Sequence, residues 1–238
     1  MTPHELFRAG RLNDAVTALS AEVRDNPTDA RRRTFLFELL CFAGQFDRAD
    51  KQLDVLAQGG HEAAMGTLLY RSALHAERVR QTMFTGGDYP AGPPPPPVAG
   101  RLNGKAFQAL SDADPRIGAR LELFAAGQYT WIPLAQIASV RVRPPARLRD
   151  LLWIPAAIRT APDFQGLELG EVLVPALAPR SAEHPDEAVR LGRATEWQPL
   201  EGGGEAPVGQ KLLLVDGEEF PILEVRELDI VPAPVGVT

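Results

Sequence analysis

The chain has 238 residues, a formal net charge of −6 and one cysteine, Cys41. Its 45% apolar share is that of an ordinary globular protein, and the length suits one large folded unit or two small ones. An acidic balance with a pI near 5.3 argues against a general nucleic-acid binder, which needs a basic footprint to neutralise phosphates. A lone cysteine excludes an intrachain disulfide and a cysteine-rich zinc site and fits a reducing compartment.

In chain order, the first expectation is that no secretory signal is present: residues 1–6 lack a basic segment followed by an apolar run. A short leading helix is expected over 3–9. Leu12, Ala15, Val16, Leu19 and Val23 then fall at helical spacing. Asn26-Pro27 ends that helix, because the residue before proline avoids the helical region. Thr28 or Asp29 can cap the next helix, which carries Phe35, Leu36, Phe37, Leu39, Leu40 and Phe42 and is apolar on nearly every side. Gly44 turns the chain, 46–56 is amphipathic, Gly59-Gly60 closes it, and 61–84 reads as a long fifth helix.

Within these helices one motif occurs twice at a separation of 34 residues: Ala9-Gly10-Arg11-Leu12-Asn13-Asp14-Ala15 and Ala43-Gly44-Gln45-Phe46-Asp47-Arg48-Ala49. A period of about 34 is that of a tetratricopeptide helix–turn–helix unit. Pro27 stands where such a unit ends, whereas the second copy has His61 at that offset. The reading is two degenerate units and a capping helix, fewer than a free-standing solenoid needs, so a second domain is expected to pack against them.

The expected organisation is a tetratricopeptide-like helical domain over 1–88, a Pro/Gly-rich linker over 89–100 that includes five consecutive prolines at 93–97, and a β-rich mixed α+β domain over 101–238. In the last part, 119–124, 129–134, 137–142, 151–158 and 171–177 are expected strands. Residues 211–215 and 218–225 flank Asp216-Gly217, a hairpin signal, and Pro221 places the second strand at an edge. One helix is expected around 185–191, and no stretch is long and apolar enough for a membrane span.

Chemistry-bearing motifs are sparse. His4, His61, His75 and His184 have no metal-ligand spacing, and there is no nucleophile elbow or phosphate loop. Gly202-Gly203-Gly204, between Glu201 and Glu205, reads as a surface loop whose acidic flanks would repel phosphate. Asp112 and Asp114, with Arg116, are open to two readings: a shared divalent cation, or a turn begun by Asp114-Pro115. Tyr129, Trp131, Trp153 and Trp197 read as core more than as a ligand patch, and Cys41 as a packing residue.

An ordered series of landmarks resembles one family. It comprises Asp112-Ala113-Asp114-Pro115-Arg116-Ile117-Gly118, Leu121-Glu122, Gly127-Gln128-Tyr129-Thr130-Trp131-Ile132-Pro133, Arg149-Asp150-Leu151-Leu152-Trp153, Pro175-Ala176-Leu177, Leu191-Gly192-Arg193-Ala194-Thr195-Glu196-Trp197 and Gly209-Gln210, with Glu77-Arg78 to Phe84 upstream. These are similar to the ImpE/TagJ family, accessory proteins of bacterial type VI secretion clusters. The resemblance implies a cytoplasmic, non-catalytic protein without cofactor or bound metal. It implies as partner an N-terminal helix of the small subunit of the contractile sheath, with an effect on sheath assembly or disassembly and an indirect link to the associated AAA+ unfoldase. Neither nucleic acid nor membrane insertion is expected.

A helical-repeat groove accepts an amphipathic helix with anchors at i, i+3/i+4 and i+7. Mapping the repeat period onto the chain places His4, Phe7 and Arg8 on the concave face, then Arg31, Thr34, Glu38, Cys41 and Phe42, then Met65, Leu68, Ser72 and His75. Phe7, Phe42 and Leu68 are the expected apolar anchors, with Arg8, Arg31 and Glu38 setting orientation; the alternative reading is that the second domain covers these residues and they are core. The rival expectation puts a metal-binding or enzymatic site at Asp112, Asp114 and Arg116.

Overall fold

A computed structural model describes residues 1–90, 92, 95–162, 164 and 169–231; Pro93 and Pro94 of the expected spacer lie outside them. The architecture is mixed α+β, with helices first and a sheet after. Five helices come first: α1 (Pro3–Arg8), α2 (Leu12–Asp25), α3 (Ala30–Phe42), α4 (Phe46–Leu56) and α5 (His61–Gly86). Each packs on the next.

The 34-residue repeat is visible atom by atom. Gly10 N–H donates to Phe7 C=O and Arg11 N–H to Leu6 C=O; 34 residues on, Gly44 N–H donates to Cys41 C=O and Gln45 N–H to Leu40 C=O. Both glycines have left-handed backbones, φ +79° and +68°, as this helix-ending geometry requires. The alanine that closes each copy, Ala15 or Ala49, is fully buried one turn into the next helix. Asp29 caps α3 through the Arg32 N–H, as expected. Helix α2 has no cap of its own, since Arg11 holds that position. Its first amides, Leu12 N–H and Asn13 N–H, are instead taken at 2.9 and 2.8 Å by the carboxylate of Glu187, from the far end of the chain.

The sheet is antiparallel and has ten strands: β1 (Val98–Leu102), β2 (Lys105–Asp112), β3 (Arg120–Ala125), β4 (Gln128–Pro133), β5 (Ile137–Val142), β6 (Trp153–Thr160), β7 (Gly170–Pro175), β10 (Leu212–Val215), β11 (Glu218–Pro221) and β12 (Glu227–Ile230). The order is β11-β10-β2-β1-β12-β5-β6-β7-β3-β4. A short helix α6 (Glu187–Arg190) and a separate hairpin of β8 (Thr195–Pro199) and β9 (Glu205–Gly209) lie between β7 and β10. The sheet curls: Leu110, Leu121, Val174, Leu213 and Leu228, from strands spread across it, line one enclosed apolar space. The segment from Gly202 to Gly204 is the exposed turn of the β8–β9 hairpin.

Five strands go beyond the sequence reading: β1, β2, β8, β9 and β12. Strand β1 begins at Val98, inside the span assigned to the linker. The strand expected over 218–225 stops at Pro221 and continues as a 3-10 turn, Ile222–Glu224, while β11 is the edge strand that Pro221 implied. The segment expected to begin a strand at 151 is a 3-10 turn, Leu148–Leu151, before β6.

Two buried apolar clusters occur among the described residues, one within the sheet half and one shared by helices and sheet. Leu152, Trp153, Phe124 and Leu191 belong to the same buried cluster as Leu12, Phe37, Leu39 and Leu74. Helix α3 meets α2, α4 and this seam together, which is why its run from Phe35 to Phe42 is buried all round.

Candidate functional site

Two rows of helical side chains form an open cavity of about 590 Å3 between α1 and α3. Helix α1 contributes His4, Phe7 and Arg8; helix α3 contributes Arg31, Thr34, Phe35 and Glu38, the i, i+3, i+4, i+7 spacing of one helix face. Leu148, from the turn before β6, closes one end. The apolar wall is built from rings. His4 stacks on Phe35 at 4.2 Å between centroids, Phe7 meets Phe35 edge-on at 6.0 Å, and Phe42 stands behind Phe7 at 6.5 Å. The guanidinium of Arg193 lies 4.9 Å over the Phe7 ring and donates to the Phe7 and Arg8 carbonyls at 2.7 and 3.0 Å. It thereby fixes the C-terminal end of α1.

Glu38 is the charged group of the groove floor, 8% exposed. Burial raises its carboxyl to about 7, against the opposing pull of the Arg149 backbone N–H and of the Arg149 and Arg147 guanidinium charges; Asp150 adds to the rise. The groove therefore changes charge near neutrality.

Five of the eight residues put forward for partner binding share this cavity: Phe7, Arg8, Arg31, Thr34 and Glu38. Phe42 is 1% exposed and supports the wall from inside the core. Leu68 and His75 lie on exposed parts of α5 and do not reach the cavity. The segment 147–150 stands beside both α5 and the cavity: Arg149 donates to the Tyr70 hydroxyl of α5 at 2.6 Å, and Leu148 lines the cavity. Cys41 is buried, its thiol pushed well above the ordinary range by burial.

Asp112 and Asp114 face different cations. Asp114 is paired with Arg116, Oδ2 to Nη2 at 2.6 Å, and its carbonyl accepts from Ile117 N–H and Gly118 N–H, which is the turn reading. Asp112 is 3% exposed and pairs with Lys211. No group of three or more His, Cys, Asp or Glu side chains suited to a metal occurs among the described residues.

Lys211 belongs to a buried network that sequence reasoning missed. Arg80 of α5, 1% exposed, grips Glu122 of β3 through Nε–Oε2 at 2.7 Å and Nη2–Oε1 at 2.8 Å. Lys211 Nζ meets the same carboxylate at 2.5 Å, the Tyr129 hydroxyl donates to it at 2.9 Å, and Glu77 bridges Arg80 to the indole N–H of Trp153. Burial alone would raise Glu122; Arg80 and Lys211 outweigh it and hold the carboxyl at about 2. Trp153 is core, as expected, whereas Tyr129 and Trp131 are half-buried and Trp197 is 37% exposed.

The sequence model of the ImpE protein family matches residues 104–229. A relative named type VI secretion system accessory component TagJ, from Pseudomonas aeruginosa, is 36% identical over 98% of this chain and 92% of its own length. The chain belongs to the ImpE family. A crystal structure of protein VPA1032 from Vibrio parahaemolyticus, 23% identical, superimposes with a TM-score of 0.83 over 98% of both chains, so this fold has a solved counterpart. Membership accounts for the order of the landmarks across the sheet half: Asp112 and Arg116 flank the turn after β2, Tyr129 and Trp131 lie on β4, and Arg149 lies in the turn before β6, whose first residue, Trp153, is in the core shared with the helices. No helix among the described residues is long and apolar enough to cross a membrane.

Proposed function

We propose that this ImpE protein is a non-catalytic cytoplasmic adaptor of a bacterial type VI secretion system. Its tetratricopeptide-like N-terminal part, residues 1–88, takes an amphipathic helix in the α1–α3 groove. Residues 89–100 connect this part to a β-rich part, 101–238, that braces it. The partner is the N-terminal helix of the sheath small subunit, and its capture modulates sheath assembly or disassembly, with the AAA+ unfoldase affected indirectly. The observation that carries this reading is the groove itself: an apolar wall of Phe7 and Phe35 flanked by Arg8, Arg31 and Glu38 at helix-to-helix spacing. A helix presenting an apolar stripe to Phe7 and Phe35, with a carboxylate toward Arg31, matches it. The secretion-system context rests on the TagJ relative.

The test is titration of the full chain with a peptide covering the N-terminal helix of the cognate sheath small subunit. Saturable binding at micromolar concentration or tighter is expected. Arg31→Glu, at an exposed position, should weaken it about tenfold, roughly the 1.4 kcal/mol of one lost charge-assisted contact, without lowering the melting temperature. Unchanged affinity in both Arg31→Glu and Thr34→Trp would rule the groove out.

A further inference from the structure

A second concavity, about 830 Å3, lies between the first half of α5 and the outer face of β5, β6 and β7. It exists because the middle strand is thin there. Outward from β6 point Pro155 and Ala157, both exposed, while Ile154, Ala156 and Ile158 point into the core. The register sets Ala157 between Arg141 and Glu171, and Pro155 beside Leu173, which is itself paired with Phe124. Short side chains on the central strand with long ones on either side make a trough. One wall is α5, through Leu69 and Tyr70; the other is the segment carrying Arg143, Arg147 and Arg149.

The trough is basic on an acidic protein. Arg141, Arg143, Arg147, Arg149 and Arg226 line it, against three carboxylates, Asp150, Glu171 and Glu227, while the whole chain carries −6. Arg141 is held by Asp229 at 2.6 Å, Arg149 by Tyr70, and Arg226 by the carbonyls of Leu223 and Val225. Arg143 is exposed and makes no hydrogen bond or ion pair among the described residues; Arg147 is exposed beside it. On the α5 rim, Met65, Leu68 and Leu69 are 58%, 57% and 54% exposed at i, i+3, i+4 spacing, an apolar ridge leading into the basic trough.

We propose that this trough docks an acidic segment of a partner protein, one in which carboxylates accompany apolar anchors. The anchors seat on Pro155, Ala157 and Leu173 and against Leu69, and the carboxylates meet Arg143 and Arg147. Charge complementarity selects an acidic chain, and the two walls select a single segment over a membrane, since a flat bilayer cannot reach a floor recessed between them. The site is distinct from the α1–α3 groove, although both use the segment 147–150: Leu148 lines the groove, and Arg147 and Arg149 line the trough.

The experiment uses the full chain and a short fluorescein-labelled peptide of glutamate and leucine, with a lysine–leucine peptide of the same pattern as control, read by fluorescence anisotropy. The glutamate–leucine peptide should bind saturably and more weakly as salt rises, and the control should not. The double variant Arg143→Glu/Arg147→Glu should weaken binding at least about tenfold. Ala157→Trp fills the floor at an exposed position, so it should abolish binding in a protein whose melting temperature is unchanged. Thr34→Trp, in the other groove, should have no effect, which separates failure at one site from failure at the other. Affinity unchanged by both trough variants, absence of saturation, or binding only to phosphatidylserine-containing vesicles would each overturn the proposal.

Discussion

At the scale of single residues, two buried carboxylates respond to pH in opposite senses. Glu38 sits at about 7 in the folded chain against 4.5 for an ordinary glutamate, so between those values the folded state binds the proton and the unfolded state does not. Stability from this group is full below about 4.5, declines as pH rises through 7, and is flat above; the span corresponds to on the order of 3 kcal/mol. Glu38→Gln should therefore be more stable than the parent at pH 8 and nearly equal to it at pH 4.5, measured as urea midpoints at the two pH values. A parent-to-variant gap that does not change with pH would contradict the assignment. Glu122 behaves the other way. Held at about 2, it contributes stability that is present above its unfolded value of 4.5 and is lost as pH falls toward 2. Glu122→Gln leaves Arg80 and Lys211 buried with less than their full counter-charge. The expected loss is about 3–5 kcal/mol at neutral pH, seen as a lower urea midpoint and shrinking as the medium is acidified.

At the scale of elements, the two copies of the repeat motif are chemically alike but not equally loaded. A side chain at Gly44 would stand 2.9 Å from the Cβ of Ala182, on a backbone with φ +68°. At Gly10 the nearest atom is Nη1 of Arg193, at 3.6 Å, an ordinary van der Waals contact that needs no movement. Gly10→Ala should cost about 1 kcal/mol for the left-handed backbone alone. Gly44→Ala should cost more, because the turn at 181–183 must also shift. Equal losses in thermal denaturation would mean that the contact with Ala182 carries no energy. The sequence disclosed this pair because the motif is local and its period is helical. It disclosed less of the sheet for the opposite reason. Strands β1 and β12 are short, pair across most of the second half, and carry exposed Arg101 and Glu227. Even so, Asn103-Gly104 between β1 and β2 was a readable hairpin signal, since both residues take the positive φ of such a turn, 48° and 81°. The repeat period brought Phe7, Arg8, Arg31, Thr34 and Glu38 to one cavity, while Phe42 lies inside the core and Leu68 and His75 stand outside it on α5. The trough and the Arg80–Glu122–Lys211 network were not legible at all. Their members are joined across 42 and 89 residues of sequence, and no local pattern announces such a meeting.

At the scale of the whole molecule, the seam between helices and sheet decides how the chain folds. Cut after residue 88, the helical part would expose the faces of Phe37 and Leu74 that now meet Trp153 and Leu152, and it would leave Arg80 without Glu122. It would also lose Glu187, which caps α2, and Arg193, which ties down α1. The other part would lose the cover over Trp153 and the Arg80 half of the counter-charge for Glu122. Each side of the seam thus holds groups whose burial is tolerable only with the other present, the uncompensated ion being the more costly. The two parts should therefore behave as one cooperative unit. The intact chain should unfold in a single transition, with far-ultraviolet circular dichroism and tryptophan fluorescence changing at the same urea concentration. Residues 1–88 expressed alone should show weak helicity without a cooperative melt. A separated helical fragment with a sharp melt near that of the full chain would mean that the groove is self-supporting and the seam only an attachment. Non-coincident transitions in the intact protein would place the boundary between folding units at the seam itself. The coupling has a consequence for binding as well, because the α1–α3 groove is completed by Leu148 and anchored by Arg193, both from the sheet half. A ligand seated there stabilises the whole chain by mass action, so saturating peptide should raise the single transition without splitting it.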